Sequence, residues 1–446
     1  MDKPVKKYGL FTAVSMVVGI VIGSGVFKSA GDVLAASGGK LSVAIMAWVI
    51  GGLIMVVSAY TFSILASRIE KSSGIVDYVE TAFGTKVGYL VAWFMNFVYY
   101  PTLIGILAWL GGSITASILS LDGAYATWVI ALVYLFGTYA LNLASPYLGG
   151  KWQVSAATIK LVPLLLIALV GLVVGLFNGQ TLENFSTQVA VAGGGSLAKA
   201  VAVTAFAYEG WILATTINSE LRDSKKNLPK ALVLGTLVVI GAYVLFFLGL
   251  AGVLTNAESI QYAGSLDTSV VAAERLFGNF FGSLVSVLIL VSVLGTLNGL
   301  TMGGVRGMFA ISVRNEGPKP ELFGKLTKND ATLNSGLLSL VLTLLWGVVW
   351  FGNFEGWWGG FMDTSVLPIV FLYGTYLFVY FYIVVKMEDL SVFNRYVAPI
   401  LSSLGALYLV YGAFTSDPKM FLYFSLITFV LLVVGFLLYG NKKREV

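Results

Sequence analysis

Two short stretches carry most of the interruptions in an otherwise apolar chain. The first is GIVIGSGVFKS, Gly19–Ser29, and the second is AFAYEGW, Ala205–Trp211. Neither holds a histidine, a cysteine, a metal-ligand pair or a phosphate loop. What they share is glycine inside a run that should be helical, where it costs about 1 kcal/mol against alanine. A helix broken at Gly23-Ser24-Gly25, or at Tyr208-Glu209-Gly210-Trp211, frees N–H groups at the start of one half and C=O groups at the end of the other. The first kind of end carries about half a positive charge and the second the reverse. One suits a carboxylate and the other an ammonium, and a free α-amino acid has both. Glycine also lets a ligand come close to the main chain with no Cβ in the way.

Few other residues offer chemistry. Lys160 stands alone in the fifth apolar segment, about nine residues or roughly 13 Å along a helix from Lys151, too deep to snorkel easily. A buried ammonium is a functional candidate by default. It is expected to be a structural cation, donating to carbonyls of the first break and to a hydroxyl of the eighth segment, with Ser292 the best candidate. Glu209, the acid of the second break, has four readings. It binds a cationic substrate group, carries a proton, pairs with Lys160 or another base, or is solvated on a vestibule wall. Phe206 precedes that break and has two readings, closing over a ligand or ordinary core packing. Asn96, Tyr99, Tyr100 and Pro101 are expected on a third segment facing the site, and Glu220, Arg222 and Asp223 as ordinary loop ion pairs.

The elements that position these residues follow from composition. Of 446 residues, 58% are hydrophobic and 11% charged, with mean hydropathy +0.88. Soluble domains carry about 25% charged residues, so this is an integral membrane protein. Cysteine and histidine are both absent. No disulfide forms, any metal site would need carboxylates alone, and a proton relay must use Asp, Glu, Lys or Tyr. No GxSxG motif is present, and GGK at Gly38–Lys40 lacks the Ser/Thr of a phosphate loop, so neither an enzyme nor an ATP-driven pump is expected, and no cofactor. No filter-like element suggests a channel. The pI near 9.0 reflects basic loops rather than a nucleic-acid surface. Met1–Lys7 is short and basic and runs into a spanning segment, with no cleavable signal apparent.

A spanning helix needs about 20 mainly apolar residues. Charge-free runs of that length lie at Tyr8–Phe27, Leu41–Ser67, Val87–Leu121, Gly123–Gly150, Leu161–Leu182, Ala231–Ala257, Leu276–Val305, Ala331–Phe354, Thr364–Val385, Tyr396–Ser416 and Met420–Gly440. A twelfth is hidden in Leu197–Asn218, interrupted by Glu209, and the fifth is expected to begin near Trp152. With both termini cytoplasmic, Lys28, Lys40, Lys199, Arg275 and Lys419 fall outside, Lys160 falls within the membrane, and the other Lys and Arg residues lie inside. This is the bias expected of cytoplasmic loops. The two breaks open two five-helix units of opposite polarity, residues 8–182 and 197–386, followed by two further helices at 396–440. Paired interruptions at matching positions of inverted halves point to a transporter binding site.

GIVIGSGVF, AFAYEGW, the lone Lys160 and LPKAL (Leu228–Leu232) together resemble the L-amino acid transporter family of the amino acid–polyamine–organocation superfamily, its bacterial exchangers in particular. The resemblance covers essentially the whole chain. It implies an all-α, twelve-helix fold of the LeuT type, a five-plus-five inverted repeat with two C-terminal helices. It also implies sodium-independent, obligatory exchange of small neutral L-amino acids across a bacterial cell membrane. On that basis the amides of Ser24, Gly25 and Val26, with Gly23 beside them, would hold the substrate carboxylate. The main chain around Ile20, Val21, Ala205 and Phe206, with Glu209, would hold its amino group. Phe206 matches the family's aromatic gate, Tyr243 a tyrosine at the rim, and Lys160 its fifth-helix lysine. Sodium-coupled relatives of the architecture place a sodium ion at the helix 1/helix 8 junction, where Lys160 and Ser292 would substitute for it. The family's animal members use a cysteine to link a heavy subunit, and without one no disulfide-linked subunit is expected here. Many members have Gly or Ser where this chain has Glu209, whereas those that exchange cystine and dibasic amino acids have an acid, which leaves cationic substrates open; the alternative is a proton-coupled amino acid or cationic amino acid/polyamine symporter.

Overall fold

The protein is described here from a computed structural model covering residues 9–69, 74–121, 125–145, 147–150, 152, 159–214, 221–327 and 329–440. Of the Lys and Arg residues expected inside, Lys3, Lys6, Lys7, Lys71, Lys151, Lys328, Lys442, Lys443 and Arg444 lie outside these residues, as does Glu220.

Apolar runs become helices throughout. The first breaks into α1 (Leu10–Val21) and α2 (Gly25–Ala36), bent by 59°. Then come α3 (Leu41–Ala66), the short α4 (Ile75–Phe83), α5 (Thr85–Ile118) and α6 (Ala126–Ala144). α7 (Leu161–Phe177) turns by 81° into α8 (Gln180–Ser186). The second interrupted segment is α9 (Leu197–Ala207) followed by the four-residue α10 (Trp211–Ala214). The remainder are α11 (Ser224–Ala251), α12 (Asn256–Gln261), α13 (Asp267–Ser312, two helical stretches that meet at Gly278, where the backbone is non-helical with φ +74°), α14 (Pro320–Phe323), α15 (Leu333–Phe354), α16 (Leu367–Lys386), α17 (Phe393–Ser416) and α18 (Pro418–Leu437). Among the described residues nine helices are long and apolar enough to cross a membrane, or eleven if each bent pair is one span. The twelfth expected segment is represented by α9, at 11 residues too short to span alone.

The chain divides into two compact units. One draws on Met1–Tyr78, Thr158–Ile289 and Ile369–Ser416, the other on Val79–Ala157, Leu290–Pro368 and Asp417–Val446. In the first, α9 packs among α2, α3 and α17, while α11 packs against α1, α3 and α7. Bare backbone makes the α7/α11 contact possible. A Cβ on Gly171 would strike the carbonyl of Gly249, one on Gly175 would strike Gly252, and one on Gly249 would strike the carbonyl of Ile167. Small residues at such spacing let spanning helices approach within van der Waals contact of their main chains.

In the second unit α5 is not a uniform helix. Met95–Tyr99 is a π-helical turn, and Asn96, Tyr99, Tyr100 and Pro101 sit on it or beside it. Proline has no N–H, so Pro101 cannot donate to the carbonyl of Phe97. The indole of Trp346 on α15 does so instead, at 2.8 Å. Ser292 belongs to this unit as well, and is fully buried.

Candidate functional site

The first break occupies Ile22–Ser24, between the ends of α1 and α2. Ser24 is the residue before α2, and the Lys28 N–H donates to its carbonyl at 3.3 Å. Gly23, Ser24, Gly25 and Val26 are all buried. Gly25 does not have a left-handed backbone; its lack of a side chain serves proximity. A Cβ there would lie 2.7 Å from both the Phe206 carbonyl oxygen and Ala207 Cα. The head of α2 thus rests directly on the main chain at the end of α9, and both breaks lie in one place within the first unit. The space glycine leaves is filled, in this conformation, by the other break.

The second break is Tyr208-Glu209-Gly210. Here glycine serves conformation: Gly210 has φ +102°, a region L side chains rarely adopt. The nearest atom to a Cβ built on Gly210 is the Ile20 carbonyl oxygen, at 3.4 Å, so the second break also touches the end of α1.

One side chain joins the two. Tyr243 on α11, expected at a rim, is fully buried. Its hydroxyl is 3.2 Å from the Val21 carbonyl, at the end of α1, and 3.0 Å from the Ala207 carbonyl, at the end of α9. A phenol has one proton, so the two acceptors share it. These are the terminal carbonyls that each broken helix leaves without a partner of its own. Above them Tyr208 donates to the Trp48 carbonyl at 2.7 Å, and the rings of Trp48, Tyr208 and Tyr243 pack 5.1–5.8 Å apart.

Phe206 is buried on α9 immediately before the second break, and Ala205 beside it. Glu209 is half-buried, and its electrostatic neighbours include Tyr373 and Tyr376 on α16. Trp211 donates to the Tyr373 hydroxyl at 3.0 Å and packs 5.5 Å from the Tyr376 ring. Arg222 and Asp223 lie in the turn that begins α11, where Asp223 has a left-handed backbone and its carbonyl accepts from Lys226 and Asn227.

Lys160 caps the start of α7 and is 6% exposed. Among the described residues no hydrogen bond or ion pair reaches its ammonium, so neither the expected donation to the first break nor a pairing with Glu209 is made in this conformation.

Sequence reasoning misplaced Lys28. Counted as an outer loop residue because the charge-free run stops at Phe27, it lies inside α2 and is 2% exposed. Its ammonium pairs with Asp32 at 2.9 Å and stands 5.4 Å from the centre of the Phe206 ring. The i,i+4 spacing of Lys28 and Asp32, in a stretch that stays helical to Ala36, was the available signal.

Residues 8–436 match the amino acid permease family. The serine/threonine exchanger SteT of Bacillus subtilis is 34% identical over 316 residues, covering 71% of this chain and 70% of that protein. The human large neutral amino acids transporter small subunit 2 is 29% identical over 76% of this chain and 64% of its own length. The mouse Asc-type amino acid transporter 1 is 28% identical over 75% and 63%. This chain therefore spans just under two thirds of the mammalian relatives and somewhat more of the bacterial one. Among solved structures, Mhp1, a nucleobase-cation-symport-1 family transporter, superposes over 98% of the chain. Its closed conformation with bromovinylhydantoin bound gives a TM-score of 0.58 at 14% identity, and its inward-facing conformation 0.60 at 15%. At such identity the likeness concerns the fold. The chain is a multi-pass membrane transporter with a LeuT-like fold and belongs to the amino acid permease family, on the L-amino acid transporter branch of the amino acid–polyamine–organocation superfamily.

Proposed function

We propose that this protein exchanges small neutral L-amino acids across the cell membrane, independently of sodium, by alternating access, with both termini cytoplasmic. The observation that carries the reading is the meeting of the two breaks, closed on each other through Gly25 and bridged by Tyr243. The amides of Ser24, Gly25 and Val26 head a 12-residue helix and form an anion site of the kind helix N-termini provide. The carbonyls around Ile20, Val21 and Ala205 receive the amino group, with Tyr243 holding two break carbonyls until an ammonium replaces its proton. Phe206 covers the bound zwitterion. Lys160 supplies a fixed positive charge in the role that sodium has elsewhere. Because that cation never leaves, the empty carrier gains no ion gradient to return it, which favours exchange over net uptake. The two five-helix repeats, residues 8–182 and 197–386, supply the moving parts. The similarity to SteT, named a serine/threonine exchanger, supports both the substrate class and the exchange mode.

The test is uptake of radiolabelled L-serine into proteoliposomes. Uptake should require amino acid inside and be indifferent to sodium; equal uptake into empty vesicles would overturn it. A second reading, a proton-coupled or cationic amino acid/polyamine symporter, is favoured by Glu209 lying in the break beside Tyr373 and Tyr376. It requires that an imposed proton gradient drive accumulation in empty vesicles.

A further inference from the structure

The buried pair of Lys28 and Asp32 has no part in the substrate site just described, and it is not an ordinary helix-surface pair. The two side chains are 3% and 14% exposed. Each also reaches a different neighbour. Lys28 stands over the Phe206 ring, where an ammonium is attracted by the π-face. Asp32 accepts the N–H of Gly264, in the turn that follows α12. α12 and the start of α13 lie tightly on α2: a Cβ on Gly31 would meet the Ser259 carbonyl oxygen at 2.6 Å and the Thr268 hydroxyl at 2.9 Å, and Ser269 donates to the Phe27 carbonyl at 3.0 Å. The pair therefore links three things in series: the Phe206 ring, the helix whose amides head the site, and the turn after α12 that packs on that helix.

We propose that Lys28 and Asp32 are positioning residues for the outer gate, holding Phe206 and the 262–266 turn together in the closed state and so setting the affinity seen from the side opposite the Lys- and Arg-rich loops. The proposal rests on the exchanger reading for its transport consequence but not for its structural one. Charge order matters. An ammonium over the ring is attractive, whereas a carboxylate in the same place faces the negative side of the ring quadrupole. A pair that merely neutralised itself within one helix would work equally well reversed.

The chain has no cysteine, so a single thiol reports cleanly. Ala30 is 1% exposed, beneath α12 beside Asn256 and Ser259. In an Ala30→Cys background, labelling by a membrane-impermeant maleimide from outside should become about tenfold faster with Lys28→Met or Asp32→Asn, as a loss of closed-state preference requires. Lys28→Arg should label at the parent rate. In loaded proteoliposomes, Lys28→Met should raise the outer half-saturation for L-serine about tenfold while the inner value moves less than about twofold. The double exchange Lys28→Asp with Asp32→Lys should rescue neither measurement. Unchanged labelling, equal shifts on the two sides, or rescue by the double exchange would each overturn the proposal. If the parent protein shows no counterflow, the exchanger reading fails while the labelling still decides the role of the pair.

Discussion

The two breaks look alike in sequence, each a glycine within a few residues of a polar side chain, yet they use glycine for opposite reasons. At the first, Gly25 keeps an ordinary backbone and gives up its side chain to admit the main chain of Phe206 and Ala207. At the second, Gly210 has room around it but sits at φ +102°. One break is limited by space and the other by torsion. An interrupted spanning helix therefore has two independent ways to be intolerant of substitution, and they should be separable by mutation.

The largest effect belongs to the crowded break. Gly25→Ala puts a methyl group against backbone atoms that cannot rotate away. It should abolish exchange and destabilise the detergent-solubilised protein by about 3 kcal/mol, the upper end of overpacking costs; thermal unfolding followed by tryptophan fluorescence checks this. Gly210→Ala should cost less, about 1–2 kcal/mol of backbone strain, and Gly210→Asn less again because asparagine tolerates positive φ better. Equal losses for alanine and asparagine at 210 would show that space, not torsion, governs the second break too. Tyr243→Phe removes a donor shared by both breaks. Stability should fall by about 1 kcal/mol, with a larger change in L-serine half-saturation than in maximal rate.

The smallest effect concerns α12, which packs on α2 beyond the first break. Glu258 caps α12 through Thr255 and pairs with Arg275 at 2.7 Å. The Arg275 guanidinium and the Thr255 N–H hold its carboxyl down from its ordinary 4.5 to about 2. A depressed carboxyl stabilises the fold above its unfolded value and loses that contribution as pH falls from about 4.5 through about 2. Since Arg275 is 43% exposed, the contribution should be about 1 kcal/mol or less. Unfolding curves for Glu258→Gln and the parent should separate fully above pH 5, by about that amount, and converge only as pH falls to about 2.

Hydropathy located the spans because a membrane admits few alternatives to an apolar helix, and glycine flanked by polar residues located both breaks. The residue contacts at the breaks were less legible. Tyr243 reaches Val21 and Ala207 across 222 and 36 residues of chain, and no local pattern encodes such a meeting. Lys28 misled because a charge at the end of an apolar run ordinarily marks the end of a span. The cue that it lay in a helix was Asp32, one turn on. The π-helical turn at Met95–Tyr99 left a partial trace in Pro101, which signals a kink but not its kind.

The glycine contact between α7 and α11 has a mechanical meaning. Helices whose backbones touch at Gly171, Gly175, Gly249 and Gly252 have almost no side-chain cushion in which to slide, so they behave as one stiff lever. Lys160 stands at one end of α7, and Tyr243 is fixed on α11. Whatever displaces the lysine must therefore carry the tyrosine hydroxyl with it, so that a push at one residue is felt as a release at the other, with no hydrogen bond between them.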